Sequence, residues 1–118
     1  MRFHNRISVD PGFDGMGLGE EAERLSNCLE DKPILVMGNH GVLAVGANVA
    51  QAFDTVFYFE RACETYITAL ATGRPLNPVS DAVAEKTARQ WEDYGDFADR
   101  HLAAIREILD RDEPDYRN

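Results

Sequence analysis

Two short apolar runs, Pro-Ile-Leu-Val-Met at 33–37 and Val-Leu-Ala-Val at 42–45, are separated only by Gly38-Asn39-His40-Gly41. A four-residue connection with two glycines joins antiparallel neighbours, so the spacing predicts a β-hairpin. Both runs are apolar at consecutive positions, which puts hydrocarbon on both faces of each strand. The hairpin is therefore expected at the centre of a sheet, with a layer packed on each side.

Other elements follow from periodicity and punctuation. Residues 2–10 alternate loosely, with Phe3, Ile7 and Val9 apolar, and read as a strand or extended arm. Pro11-Gly12 and the glycines at 15, 17 and 19 mark a loop. Residues 20–29 form a short helix with an acidic first turn, which suits the helix dipole, and with Ala22, Leu25 and Leu29 on one face. Asn48 caps a long helix running to about Thr72. Its apolar stripe is Val49, Phe53, Val56, Cys63, Ile67 and Leu70, closed by Gly73 at C′ and Pro75 beyond. Ser80 caps a last helical region, 81–110, which Gly95 kinks or divides. Val83, Trp91, Tyr94, Leu102, Ile105 and Leu109 are its candidate buried side. The residues from 113 to 118 read as an exposed polar tail. Residues 1–118 thus form one domain, with strands, short helix and hairpin in 1–46 and helices in 47–112.

Charge and cysteine usage narrow the partners. Asp and Glu outnumber Lys and Arg by 21 to 12, for a formal charge of −9. With no basic run, neither nucleic acid nor an anionic membrane surface is an expected partner. Hydrophobic residues at 44% and charged residues at 28% suit a soluble globular chain large enough for one core. No segment approaches the ~18 apolar residues of a membrane span. The first ten residues lack a signal peptide's apolar stretch. Cys28 and Cys63 form no CxxC pair and read as buried reduced thiols within helices, as expected of a cytoplasmic protein.

His40 is the candidate for chemistry. An imidazole on a hairpin connection between glycines can be turned into a cleft, and neutral imidazole is the commonest protein ligand for zinc-like ions. His4, in the N-terminal strand pattern, and His101, in the last helix, read as surface or packing residues. Glu60 falls on the apolar stripe, where a carboxylate needs a partner; Arg24, or Arg61 of another subunit, is the candidate. Tyr58, Tyr66 and Trp91 read as aromatic packing, Gly41 and Gly46 as turn glycines, and Arg74 as a solvated side chain beyond a helix end.

The stretch from Val36 to Gly46, with Met37-Gly38-Asn39-His40-Gly41 at its centre, closely resembles the class II aldolase/adducin family. So do Ala50-Gln51-Ala52-Phe53, Phe59-Glu60-Arg61-Ala62-Cys63 and Ala71-Thr72-Gly73-Arg74-Pro75-Leu76. Arg2-Phe3 and Glu21-Ala22-Glu23-Arg24-Leu25 fit the segment before the motif. The resemblance covers nearly the whole chain and looks like the C-terminal half of a domain about twice as long. It implies a three-layer α/β/α fold with a mainly antiparallel sheet, long C-terminal helices, and assembly as homo-oligomers. It also implies a divalent metal, zinc first and manganese second, held by three histidines. The third of these, in Asn-His-Gly, carries over to His40. The other two, a His-x-His pair, have no counterpart here, nor does the family's upstream acidic residue. Two readings follow. One is metal-dependent carbon–carbon lyase chemistry on a small oxygenated substrate, with the remaining ligands supplied from elsewhere. The other is a non-catalytic, adducin-like oligomerisation or interaction domain. A weaker third is a relict chain whose fold survives by self-association.

Overall fold

The computed structural model describes residues 1–12, 15–16 and 18–117. Gly17 and Asn118, part of the loop and tail expectations, lie outside them. Strand β1 is Ile7–Asp10, helix α1 Glu20–Leu29, strand β2 Ile34–Met37 and strand β3 Gly41–Ala44. Helices α2 (Val49–Ala71), α3 (Asp81–Glu92) and α4 (Phe97–Asp112) follow, and a short 3-10 turn at Pro114–Arg117 ends the described chain.

The hairpin forms as expected, with Leu35 opposite Leu43 and Val36 opposite Val42. The sheet is mixed, in the order β1-β2-β3, because β1 runs parallel to β2. Parallel pairing needs a crossover, and α1 supplies it. Only β2 is central. Ile34 and Leu35 are both fully buried, and consecutive strand residues point to opposite faces, so both faces of β2 are covered. Helix α1 packs on β1 and β2, where Ser8 Oγ meets the Leu29 carbonyl at 3.5 Å. On the other face Ile7, paired with Ile34, lines a groove with Phe59 of α2 and Ala84 of α3. The expectation that both hairpin strands are central is corrected: β3 is an edge strand, with Val42 and Leu43 exposed.

Several local expectations need revision. Residues 2–5 form a turn, closed by the His4 amide on the Met1 carbonyl at 3.0 Å, so His4 lies before the strand. Ala22 is exposed, and Leu25, Cys28 and Leu29 are the half-buried apolar residues of α1. The stripe assigned to α2 is misphased. Val49, Val56, Ile67 and Leu70 are exposed, whereas Ala50, Asp54 and Phe59 are buried. In α3 the buried residues are Ala84 and Ala88, with Val83, Trp91 and Tyr94 largely outside; Leu102, Ile105 and Leu109 of α4 are half-buried as expected. Tyr66 is exposed rather than packed.

The caps fall where anticipated. Asn48 Oδ1 accepts from the Gln51 amide at 2.9 Å and Ser80 Oγ from the Val83 amide at 3.4 Å. Gly95, at φ +73°, divides α3 from α4, and Gly73, at φ +65°, follows α2. Gly46 matters by close approach rather than by turning. A Cβ there would lie 2.7 Å from the Ala52 nitrogen and 2.9 Å from Gln51 Cβ, in the first turn of α2. Gly41 would meet nothing within 4 Å.

Arg6 joins the sheet to α3. Its Nη1 lies 2.5 Å from Glu85, and its Nε and Nη2 lie 2.8 and 3.1 Å from Glu92, a two-pronged pairing. The guanidinium, helped by Arg89, lowers the Glu85 carboxyl from 4.5 to about 2. A carboxyl with a depressed folded-state pKa adds stability above its unfolded value and loses it as pH falls through the folded value.

Two outcomes are expected in urea denaturation. Gly46→Ala costs ~1–3 kcal/mol through overpacking, whereas Gly41→Ala stays within about 0.5 kcal/mol. As pH is lowered from 4.5 towards 2, stability falls, and Arg6→Met flattens that decline because Glu85 then loses the larger of the two guanidinium partners that depress it, keeping only Arg89.

Candidate functional site

The turn carrying His40 is built from both of its neighbours. Gly38 donates its amide to the Asp10 carbonyl at 2.8 Å, and a Cβ on Gly38 would sit 3.3 Å from Pro11 Cα and O. Glycine lets β2 run this close to the exit of β1 without Pro11 having to give way. Asn39 adopts φ +61°, a conformation that asparagine accepts better than most side chains. The His40 amide then closes on the Met37 carbonyl at 3.2 Å. His40 is exposed, at the sheet end from which β3 begins.

Asp10 lies beside this turn, 5% exposed, at the end of β1. Arg24 Nη1 holds its Oδ1 at 2.5 Å and the Gly12 amide adds a bond at 3.2 Å, which together hold the carboxyl below its ordinary range. Arg24 also meets Glu21, and Arg61 pairs with Glu64. Neither therefore pairs with Glu60 within the chain, and Glu60 is exposed.

A second constellation escaped the sequence reading. Asp54, on α2, is 1% exposed. Its Oδ2 meets Arg2 Nη2 at 2.5 Å and its Oδ1 meets His101 Nδ1 at 2.7 Å. The Arg2 guanidinium lies over Tyr58 at 5.0 Å, Trp91 at 5.4 Å and Phe3 at 5.5 Å. His101 packs on Phe57 at 4.7 Å and Phe53 at 5.4 Å. One carboxylate thus ties the N-terminal turn, α2 and α4 together. Facing a carboxylate oxygen, Nδ1 is the ring nitrogen that donates. His101 is therefore a packing residue with a fixed partner, and Tyr58 and Trp91 pack as expected. The only sequence signal was a carboxylate one residue after Phe53, inside a helix otherwise rich in apolar groups.

The site residues come together only in part. His4 is half-buried in the N-terminal turn, His101 is engaged by Asp54, and His40 stands at the hairpin. Among the described residues, no three His, Cys, Asp or Glu side chains are grouped so as to hold a metal ion. The donor set of the described residues therefore does not fit a complete zinc or manganese site. Cys28 and Cys63 are half-buried and not joined to each other. Arg74 is exposed. No described helix is long and apolar enough to cross a membrane.

A mixed sheet layered between helices, with a histidine on the turn of its β2–β3 hairpin, defines an α/β chain of the aldolase II type. The family described as Class II Aldolase and Adducin N-terminal domain matches residues 1–67, and the chain belongs to that family. An aldolase class 2 protein of Caulobacter vibrioides is 34% identical over 108 residues, which cover 88% of this chain and 42% of that protein. Human beta-adducin is 43% identical over 76 residues, covering 58% of this chain and 10% of its own length. The crystal structure of an aldolase II superfamily protein from Pseudomonas syringae superposes with a TM-score of 0.84 at 30% identity, over 99% of this chain and 48% of that one. The chain thus spans about half the length, or less, of these relatives.

Removing one partner of a buried ion pair strands the other charge. Asp54→Ala is expected to cost about 3–5 kcal/mol of unfolding free energy. Arg61→Ala, at an exposed pair, is expected to cost under about 1 kcal/mol. Paired urea titrations check the contrast.

Proposed function

We propose that this chain is the C-terminal half of a class II aldolase-like domain and contributes His40 as one ligand of a divalent-metal site. The remaining ligands come from polypeptide beyond these residues. The observation that carries the reading is the mounting of His40: an exposed imidazole on a turn braced by Gly38 against Pro11, in a chain of this family. One imidazole falls short of the roughly three protein ligands of a catalytic zinc site, so the chain alone holds metal weakly. In the completed domain the activity is carbon–carbon lyase chemistry on a small oxygenated substrate of the sugar-phosphate kind. Zinc is the first candidate and manganese the second. Assembly as a homo-oligomer in the cytoplasm belongs to the same reading.

A second reading has its own support. The beta-adducin match, at 43%, is higher in identity than either aldolase-named relative, though over a shorter stretch. On that reading the chain is a non-catalytic interaction domain.

Zinc and manganese titrations, read by elemental analysis, separate the two. With the rest of the domain restored from the Pseudomonas syringae relative, metal binds stoichiometrically, and His40→Ala weakens it by about 10–100-fold or more. Unchanged metal affinity in His40→Ala overturns the ligand assignment. A restored domain that binds no metal and cleaves no substrate favours the interaction domain.

A further inference from the structure

An orphaned donor sits on the wall of a cavity. The cavity, of about 160 Å³, lies between the N-terminal turn, α2, the end of α3 and the start of α4, and Arg2 lines it. The Arg2 guanidinium stands over the rings of Tyr58 and Trp91, so its faces are occupied and it bonds only along its edges. One edge nitrogen, Nη2, meets Asp54. The other, Nη1, is buried with no partner among the described residues. Leaving a charged donor buried and unmet costs more than leaving a neutral one.

The same wall carries further donors. Asp96 stands at the N-cap of α4, but its carboxylate goes to Arg100 and makes no capping bond. The first-turn amides at Phe97 and Ala98 therefore lack the acceptor that a capping side chain provides, and both residues line the cavity. Gln51 gives its side-chain carbonyl to the Ala47 amide at 3.0 Å, which leaves its amino end to donate, and Thr55 adds a hydroxyl. The carboxylates are already engaged. Asp54 meets Arg2 and His101 through separate oxygens, and both oxygens of Glu92 meet Arg6.

We propose that this cavity binds a small monocarboxylate. The groups left unmatched on its wall are donors, and a carboxylate suits both a guanidinium edge and a helix N-terminus. Size sets the rest. A cavity of roughly 150 Å³ holds a molecule of about six carbon atoms, so an acid of about two to four carbons fits. Trp91, Phe97 and Ala98 offer hydrocarbon to its tail. A dianion such as phosphate is disfavoured, because the charges of Asp54 and Glu92 lie on the same wall. Neither His40 nor a metal takes part, so the assignment is independent of the lyase reading.

The probe is propionate, titrated into the 118-residue chain at neutral pH and constant ionic strength. Nuclear magnetic resonance of the backbone amides and arginine side chains is the readout. Saturable binding is expected, with a dissociation constant of about 1 mM or tighter and with shifts centred on Phe97, Ala98 and the Arg2 guanidinium. Propionamide, the same shape without the charge, binds at least tenfold more weakly. Arg2→Lys, which keeps the charge and removes the orphaned nitrogen, weakens propionate tenfold or more. Ala98→Leu fills the cavity and abolishes binding, and Thr55→Val weakens it about threefold to tenfold. Arg111→Ala, at the far end of α4, changes nothing. If circular dichroism shows that Arg2→Lys does not fold, Ala98→Leu and Thr55→Val decide, because they leave the Arg2–Asp54 pair intact. A response that does not saturate, propionamide binding as tightly as propionate, or shifts centred elsewhere overturns the proposal. So does propionate binding that survives Ala98→Leu, or phosphate binding tighter than propionate.

Discussion

Everything in the molecule is registered against β2. It is the one strand with neighbours on both sides and hydrocarbon on both faces, Ile34 and Leu35 being fully buried in opposite directions. Burying such a side chain contributes roughly 1.5–3 kcal/mol, and the buried apolar set around it is small: Ala50, Phe59, Ala84 and Ala88 complete it among the described residues. Polar ties therefore carry much of the attachment between layers. Arg6 fastens α3, Arg24 fastens α1 to the end of β1, and Asp54 gathers the N-terminal turn and α4 onto α2.

The parts legible in the sequence were those decided locally. The hairpin followed from a short glycine-containing link. The caps at Asn48 and Ser80 and the break at Gly95 followed from residues whose backbone preferences act within a turn. The phase of α2 did not, because counting apolar residues assigns a carboxylate to the surface. Asp54 is interior only because Arg2 and His101, 52 and 47 residues away in sequence, converge on it. The status of β3 was likewise hidden. Its composition is that of a covered strand, yet Val42 and Leu43 are exposed at the sheet edge.

The site shows the same division. Asn39-His40-Gly41 was visible as a motif, and the structure places its histidine, exposed, at the turn of the hairpin. The role of Gly38, and the pairing of buried Asp10 with Arg24 beside the turn, depend on β1 lying parallel to β2. No reading of the hairpin alone contains that neighbour.

The hydrogen bond from the Gly38 amide to the Asp10 carbonyl makes the support of the His40 turn a joint of two strand ends. Tying the backbone of the turn to a second strand removes its chain entropy on folding, so little backbone freedom remains at the position from which the ring projects. The same rigidity has a cost in evolvability. Lengthening the segment just after Asp10, far from His40 in sequence, would shift the bearing on which that ring sits.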